Sequence, residues 1–251
     1  MDAIAFHIFG IAIYWYGIFI GLGLVAGVVL AVFMAQFRGL KKEMPFELVL
    51  WIFPPAILCA RLYFCIFNGG PWGWNFFAIW NGGLAVYGSI IGGAIGLILY
   101  CVVRKQNFLK LADVVVPSLA LGQAIGRWGC YFSQCCYGIE VTNPMFQCFP
   151  FALEIGGTWH LATMIIESVC DVGICIALYF LLRKGTLDGS VFCGYMITYG
   201  LARAIIEGFR GESLMLGASG IRVSQLLSIL LVIAGIVLLV VLIKKNKKKQ
   251  G

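Results

Sequence analysis

Five arginines stand apart from the other basic residues of this chain: Arg61, Arg127, Arg203, Arg210 and Arg222. Arg61, Arg127 and Arg203 fall inside apolar runs long enough to enter lipid, and no lysine accompanies them. A charge at membrane depth costs about 2.5–3.5 kcal/mol on insertion scales, so such residues persist when they are paired or used. Arg203, Glu207 and Arg210 lie on one helical stripe, which answers part of the charge locally. One carboxylate does not balance this many guanidiniums; Glu154, Glu167 and Glu212 are further acids within reach. Guanidinium stays charged at any pH, and its fork matches phosphate oxygens two at a time. The anion available at that depth is a phospholipid head group. The arginines therefore point to a phosphate site between helices.

A membrane scaffold must position them. Of 251 residues, 61% are hydrophobic and 12% charged, and the mean hydropathy is +0.96. Soluble chains average roughly 45–50% and 25%. Seven runs, near 10–36, 46–68, 83–103, 111–133, 161–182, 190–209 and 221–243, have the ~20 residues that span a hydrocarbon core. The expected fold is an all-α integral membrane protein with seven transmembrane helices, a single polytopic domain over residues 1–251. The first run lacks a basic flank and a small-residue cleavage site, so it is expected to be a retained helix.

The net charge of +7 is sorted, not spread. Arg38, Lys41 and Lys42 follow the first run; Arg104, Lys105 and Lys110 the third; Arg183 and Lys184 the fifth; Lys244, Lys245, Lys247, Lys248 and Lys249 the seventh. With seven crossings all of these fall on one side, which the positive-inside rule makes cytoplasmic. The N-terminus is then outside, the C-terminal lysine tail inside, and the five exceptional arginines near the outer leaflet. Short basic clusters between apolar runs exclude a nucleic-acid surface; the tail instead anchors topology and meets anionic lipid.

Glycine is abundant, 32 residues, and dense near those arginines. In "NGGLAVYGSIIGGAIG", Gly88, Gly92 and Gly96 fit close helix packing. Gly82 and Gly83 read as backbone shaped around a ligand, and Tyr87 either joins them or belongs to the interfacial aromatic belt. Tyr14, Trp15 and Tyr16 carry the same two readings. Residues 70–81 form an aromatic loop, and residues 134–160 the longest outer segment. His160, at the outer start of the fifth run, reads as a helix-end residue or a catalyst.

Six of the ten cysteines lie in apolar runs as small hydrophobes. Cys130, Cys135, Cys136 and Cys148 cluster around one loop. Their spacing is unlike the paired C-x₂-C of zinc sites and no fourth ligand is evident, so no metal is expected. A disulfide from Cys135 or Cys136 to Cys148 and ordinary packing both remain open.

Over its whole length the sequence resembles the prolipoprotein diacylglyceryl transferase family. "WYG" at Trp15–Gly17, "ARLYFCIFN" at 60–68, "NGGLAVYGSIIGG" at 81–93, "GRWGCYFSQCCYG" at 126–138, "HLATMIIES" at 160–168 and "YGLARAIIEGFR" at 199–210 resemble its motifs in order. Gly126, Arg127, Gly129 and Gly138 of the signature are kept. Cys130 and Ser133 stand where the family has asparagine, Cys135 where it has glutamate, Tyr87 where it has histidine, and Leu161 where it has proline. Asn81 stands where an acid is common.

The resemblance implies transfer of the diacylglyceryl group of phosphatidylglycerol to the lipobox cysteine of a prolipoprotein signal peptide, with no cofactor. The nucleophile is a thiol that must ionise, and the leaving group is a phosphate monoester that calls for fixed positive charge. Arg127 and Arg203 are the expected clamp. Arg61 and Arg210 would orient the head group, with Glu207 holding the arginines, and Tyr16 and Tyr199 would position lipid. Tyr87 takes the histidine's place, as a hydrogen-bond donor or as a base whose ordinary pKa near 10 nearby arginines lower. A transferase with another acceptor and a phospholipid-binding or transport protein are the competing expectations.

Overall fold

The computed structural model describes residues 4–8, 11–70, 72–78, 82–211 and 222–250. Seven α-helices account for most of it: α1 Trp15–Ala35, α2 Met44–Asn68, α3 Val86–Arg104, α4 Phe108–Phe132, α5 Thr163–Arg183, α6 Ser190–Glu207 and α7 Val223–Gln250. Each coincides with one of the seven apolar runs. Six are long and apolar enough to cross a membrane; the exception, α6, carries Arg203 and Glu207.

Two pairs of short strands depart from the all-α expectation. β1 (Ile4–Ile8) pairs antiparallel with β2 (Ile11–Tyr14), so the first helix begins at Trp15, after an extended segment. β3 (Ala152–Ile155) and β4 (Thr158–Leu161) flank Gly156 and Gly157, both with positive φ (61° and 86°). Two glycines in left-handed conformations match the twist of a two-residue hairpin turn.

Close packing joins neighbouring helices. A Cβ on Gly92 would collide with the Pro55 carbonyl oxygen, and one on Gly88 or Gly96 with the carbonyl oxygen of Cys59 or Trp51. Without side chains there, α3 lies directly on α2, as small residues spaced by four permit. α4 is the most buried of the six apolar helices and touches α1, α5 and α6. Met34, Leu111, Val114, Leu182 and Val191 are fully buried around it.

Arg38, counted from sequence as a loop charge, is buried instead, 8% exposed. Its Nη2 lies 2.6 Å from Oδ2 of Asp113, and its Nη1 donates to the Thr186 carbonyl at 2.5 Å and to Asp188 at 3.2 Å. Asp113 also accepts from the backbone N–H groups of Gly189 and Phe192, each at 2.8 Å, at the start of α6. One carboxylate thus fastens the end of α1 and the start of α6 to the first turns of α4.

Removing one partner of a buried pair leaves the other charge unanswered. Asp113→Asn is expected to lower the unfolding free energy by about 3–5 kcal/mol, read as a fall in thermal midpoint in detergent. Asp188→Asn, whose side chain is 42% exposed, is expected to cost about 1 kcal/mol or less.

Candidate active site

Toward the far end of α4 from Asp113 lies a second ion cluster. Fourteen residues of helix separate Asp113 from Arg127, about 21 Å at 1.5 Å per residue. Arg127 Nε lies 2.5 Å from Oε2 of Glu167 on α5. The other oxygen of Glu167 accepts from Nη1 of Arg203 on α6. Arg203 Nη2 reaches Glu207 at 3.2 Å, and Arg210, just past the end of α6, reaches the same carboxylate at 3.7 Å. The order is Arg127–Glu167–Arg203–Glu207–Arg210, three cations against two anions. The carboxylates are the buried members, 7% and 1% exposed, while the three arginine side chains keep 16–18%.

A cleft opens beside this row, lined by Arg127, Arg203, Asp171, Tyr199 and Ile206. Arg127 spends its Nε on Glu167, and among the described residues its two Nη nitrogens make no hydrogen bond. Arg210 Nε is likewise buried without a hydrogen-bond partner there. Guanidinium carries five N–H donors, so donors remain for a ligand. Tyr199 stacks on Tyr195 at 5.2 Å between ring centroids, and Tyr195 donates to Gln123 on α4 at 2.9 Å.

Arg61 was expected to share this site and does not. It is 3% exposed. Its Nε donates to the Phe76 carbonyl at 2.9 Å, its Nη1 to Gly82 at 2.5 Å and Gly83 at 3.0 Å, and its Nη2 to Asn75 at 3.0 Å and Ala78 at 3.4 Å. Five carbonyls consume five donors, leaving none for a head group. Gly82 and Gly83, with φ of 81° and 76°, supply two of these carbonyls. A Cβ on Gly83 would meet Arg61 at 2.5 Å. The backbone is shaped around this arginine, not around a ligand. Arg61 is therefore the latch of the α2–α3 connection.

The other candidate residues divide. Gly129 admits Tyr16 of α1, since a Cβ there would meet the ring at 2.9 Å. A Cβ on Gly126 would meet nothing within 4 Å. Tyr87 is 37% exposed at the first turn of α3, its ring 6.3 Å from that of Tyr63 on α2. His160 sits on β4, its Nε2 2.8 Å from the Thr158 hydroxyl and its ring 4.7 Å from that of Tyr137. Arg222, just before α7, has a buried Nη1 without a hydrogen-bond partner among the described residues. Glu154 is exposed on β3; Asn81 and Glu212 lie outside the described residues.

The cysteines hold what spacing did not reveal. The Sγ atoms of Cys130, Cys135 and Cys136 all lie within 4.8 Å of one another. The end of α4 explains this. Gln134 N–H bonds to the Tyr131 carbonyl at 3.2 Å and Cys135 N–H to the Cys130 carbonyl at 3.2 Å, while Gln134 takes the left-handed conformation. This double bond pattern is a Schellman cap, which folds the chain back onto the last helical turn. Cys136 is also left-handed, φ 64°, and its carbonyl accepts from the Thr163 hydroxyl at 2.7 Å. Hydrogen bonds from Cys130 and Cys135, helped by Arg210 and Arg127, hold the Cys136 thiol below the usual range; burial opposes them. Cys148 is free and exposed.

Past the cysteines, Gly138 pairs with Arg210, and Ile139 N–H donates to the Phe209 carbonyl at 2.9 Å. The Leu161 N–H donates to Ile139 at 2.9 Å, so β4, the segment after α4 and the end of α6 are stitched together beside the arginine row.

Comparison with known proteins adds a family. The family model described as prolipoprotein diacylglyceryl transferase matches residues 3–241. Among curated relatives, a phosphatidylglycerol–prolipoprotein diacylglyceryl transferase of Clostridium botulinum (strain Loch Maree) is 40% identical over 255 residues, covering 99% of this chain and all of the relative. Proteins of the same name from Finegoldia magna and Oceanobacillus iheyensis are 39% and 38% identical, over 95% and 96% of this chain and 94% and 88% of theirs.

Glu167 is the joint between α4 and α6. Glu167→Ala is expected to cost about 3–5 kcal/mol, because it strands two partly buried guanidiniums. The check is thermal unfolding in detergent, with Glu154→Ala, on exposed β3, within about 0.5 kcal/mol of wild type.

Proposed function

The chain belongs to the prolipoprotein diacylglyceryl transferase family, and from that premise we propose that it moves the diacylglyceryl group of phosphatidylglycerol onto the lipobox cysteine of prolipoproteins. In this reading the protein crosses a bacterial plasma membrane seven times, α6 included. Its N-terminus is outside, its lysine tail is cytoplasmic, and the arginine row faces the outer leaflet. α6 crosses with its charges answered from α5 and from its own last turn.

The observation that carries the proposal is the convergence of Arg127 and Arg203 on one narrow cleft, where the Nη donors of Arg127 are unspent although Glu167 and Asp171 balance the charge. Two buried carboxylates hold three arginines from α4, α6 and the segment after α6, and donors are left over. The acceptor thiolate attacks the glyceryl carbon, the carbon–oxygen bond breaks, and its electron pair leaves on glycerol phosphate. The phosphate goes from a diester with one charge to a monoester gaining a second. Fixed cations aimed at that oxygen stabilise the transition state more than the bound lipid.

Arg127 and Arg203 are the clamp in this account, and Arg210 meets the head group. Glu167 and Glu207 are positioning residues. Tyr199 and Tyr16 border the lipid, with Gly126 and Gly129 leaving room beside Arg127. His160 holds the stitched segment beside the row. Tyr87 lies apart from the clamp, and its part is as a donor to the lipid at the α3 end.

With labelled phosphatidylglycerol and a lipobox peptide, Arg127→Ala and Arg203→Ala are each expected to slow transfer by about 10²–10³-fold, as for loss of an oxyanion donor. Arg61→Ala is expected to reduce the yield of folded protein instead. Full transfer by either clamp variant overturns the proposal.

A further inference from the structure

The transfer needs a thiolate, and a free thiol with pKa about 8.5 is only roughly 3% ionised at pH 7. In the arginine row Glu167 and Glu207 are engaged by guanidiniums, and the Tyr87 ring lies beside that of Tyr63 on α2. The group of soft ligands beside the row is the cysteine trio.

We propose that Cys130, Cys135 and Cys136 bind a zinc-class cation through three thiolates, and that the fourth, open position takes the thiol of the acceptor cysteine. The second half of this rests on the transferase reading above; the first half does not.

The geometry is close to complete. Zinc–thiolate bonds of about 2.3 Å set three sulfurs around one ion about 3.8–4.0 Å apart. The three Sγ atoms already lie within 4.8 Å of one another, so closure asks for side-chain shifts, not a new backbone. That backbone is held in advance. Two non-glycine residues, Gln134 and Cys136, sit at positive φ, a conformation that disfavours side chains. The cap bonds to Cys130 and Tyr131 and the Thr163 hydroxyl keep them there. Gln134 is exposed and Cys135 and Cys136 are half-buried, which leaves a way in.

Three protein ligands with one open position is the arrangement of catalytic zinc sites, whereas structural sites close with four. Among the described residues no other His, Cys, Asp or Glu joins the trio. Arg127 lies one helical turn before Cys130, and Arg210 pairs with Gly138, two residues past Cys136. Ion and phosphate clamp therefore share one rim.

The chemistry balances. Each ligating cysteine gives its proton to solvent when the ion binds. A thiol that coordinates a divalent cation is deprotonated outright, so the acceptor's proton also leaves to solvent. Its sulfur then forms the bond to the glyceryl carbon, and glycerol phosphate leaves with the electron pair.

The test uses the reduced full-length protein in detergent. Titration with cadmium is expected to give a thiolate-to-cadmium ultraviolet band saturating at one ion per chain. Cys130→Ser, Cys135→Ser and Cys136→Ser are each expected to lose it, and Cys148→Ser to keep it. Protein stripped by chelator is expected to transfer diacylglyceryl groups about tenfold more slowly or worse, within the roughly thirtyfold that full ionisation offers, and to recover with zinc. A band no stronger than that of the triple serine variant overturns the site. Stripped wild-type protein that transfers as fast as the zinc-loaded form overturns the acceptor role and leaves the transferase reading intact. Cadmium binding with no transfer by any preparation overturns the transferase reading and the acceptor role, and upholds the site.

Discussion

Glu167 is the interaction on which the site depends. Its two oxygens hold Arg127 of α4 and Arg203 of α6 from the helix that lies between them in sequence. Without it, two guanidiniums from different helices would repel at close range in a medium of low dielectric. With it, they face the same cleft. Glu207 repeats the device lower on α6, joining Arg203 to Arg210. Buried carboxylates are costly, and they are stable here because each is flanked by arginine on both sides.

The two ends of α4 show the same chemistry put to opposite use. At its start, Arg38 and Asp113 are nearly closed to solvent, and Asp113 also accepts from two backbone amides. That cluster is neutral or acidic with Asp188 counted, and it bolts three elements together. At the other end the arginines outnumber the carboxylates in the row and Arg127 keeps unspent donors beside a cleft. The first cluster spends both Nη groups of Arg38 on protein acceptors, whereas the second leaves those of Arg127 without one among the described residues. Arg61 belongs with the first kind, since its five donors meet five carbonyls.

Much of this was legible in the residues. Span positions follow from apolar length alone, and all seven helices fall where the runs do. Helical period sets the pair Arg203–Glu207, while Arg210, expected on the same stripe, lies past the end of α6 and is placed by its bridge to Gly138. What pattern cannot show is whether an arginine is spent. Arg61 and Arg127 look alike in sequence, each inside an apolar run, and only the carbonyls of the 75–83 segment separate them. Arg38 was hidden for the same reason: its partners lie 75 and 150 residues away. The cysteine trio escaped because its spacing is not that of a paired zinc motif. A left-handed turn at a glutamine, where glycine is usual, brings the sulfurs together. The β3–β4 hairpin did leave a signal, the pair Gly156-Gly157 between extended residues, which a reading for helices passes over.

The most direct test of the central claim is an experimental structure of the protein in a bilayer containing phosphatidylglycerol. A head-group phosphate with oxygens about 2.7–2.9 Å from the guanidiniums of Arg127 and Arg203, with Glu167 still bridging them, is the result this account predicts. A phosphate seated elsewhere, with the arginine row closed on its own carboxylates, would contradict it.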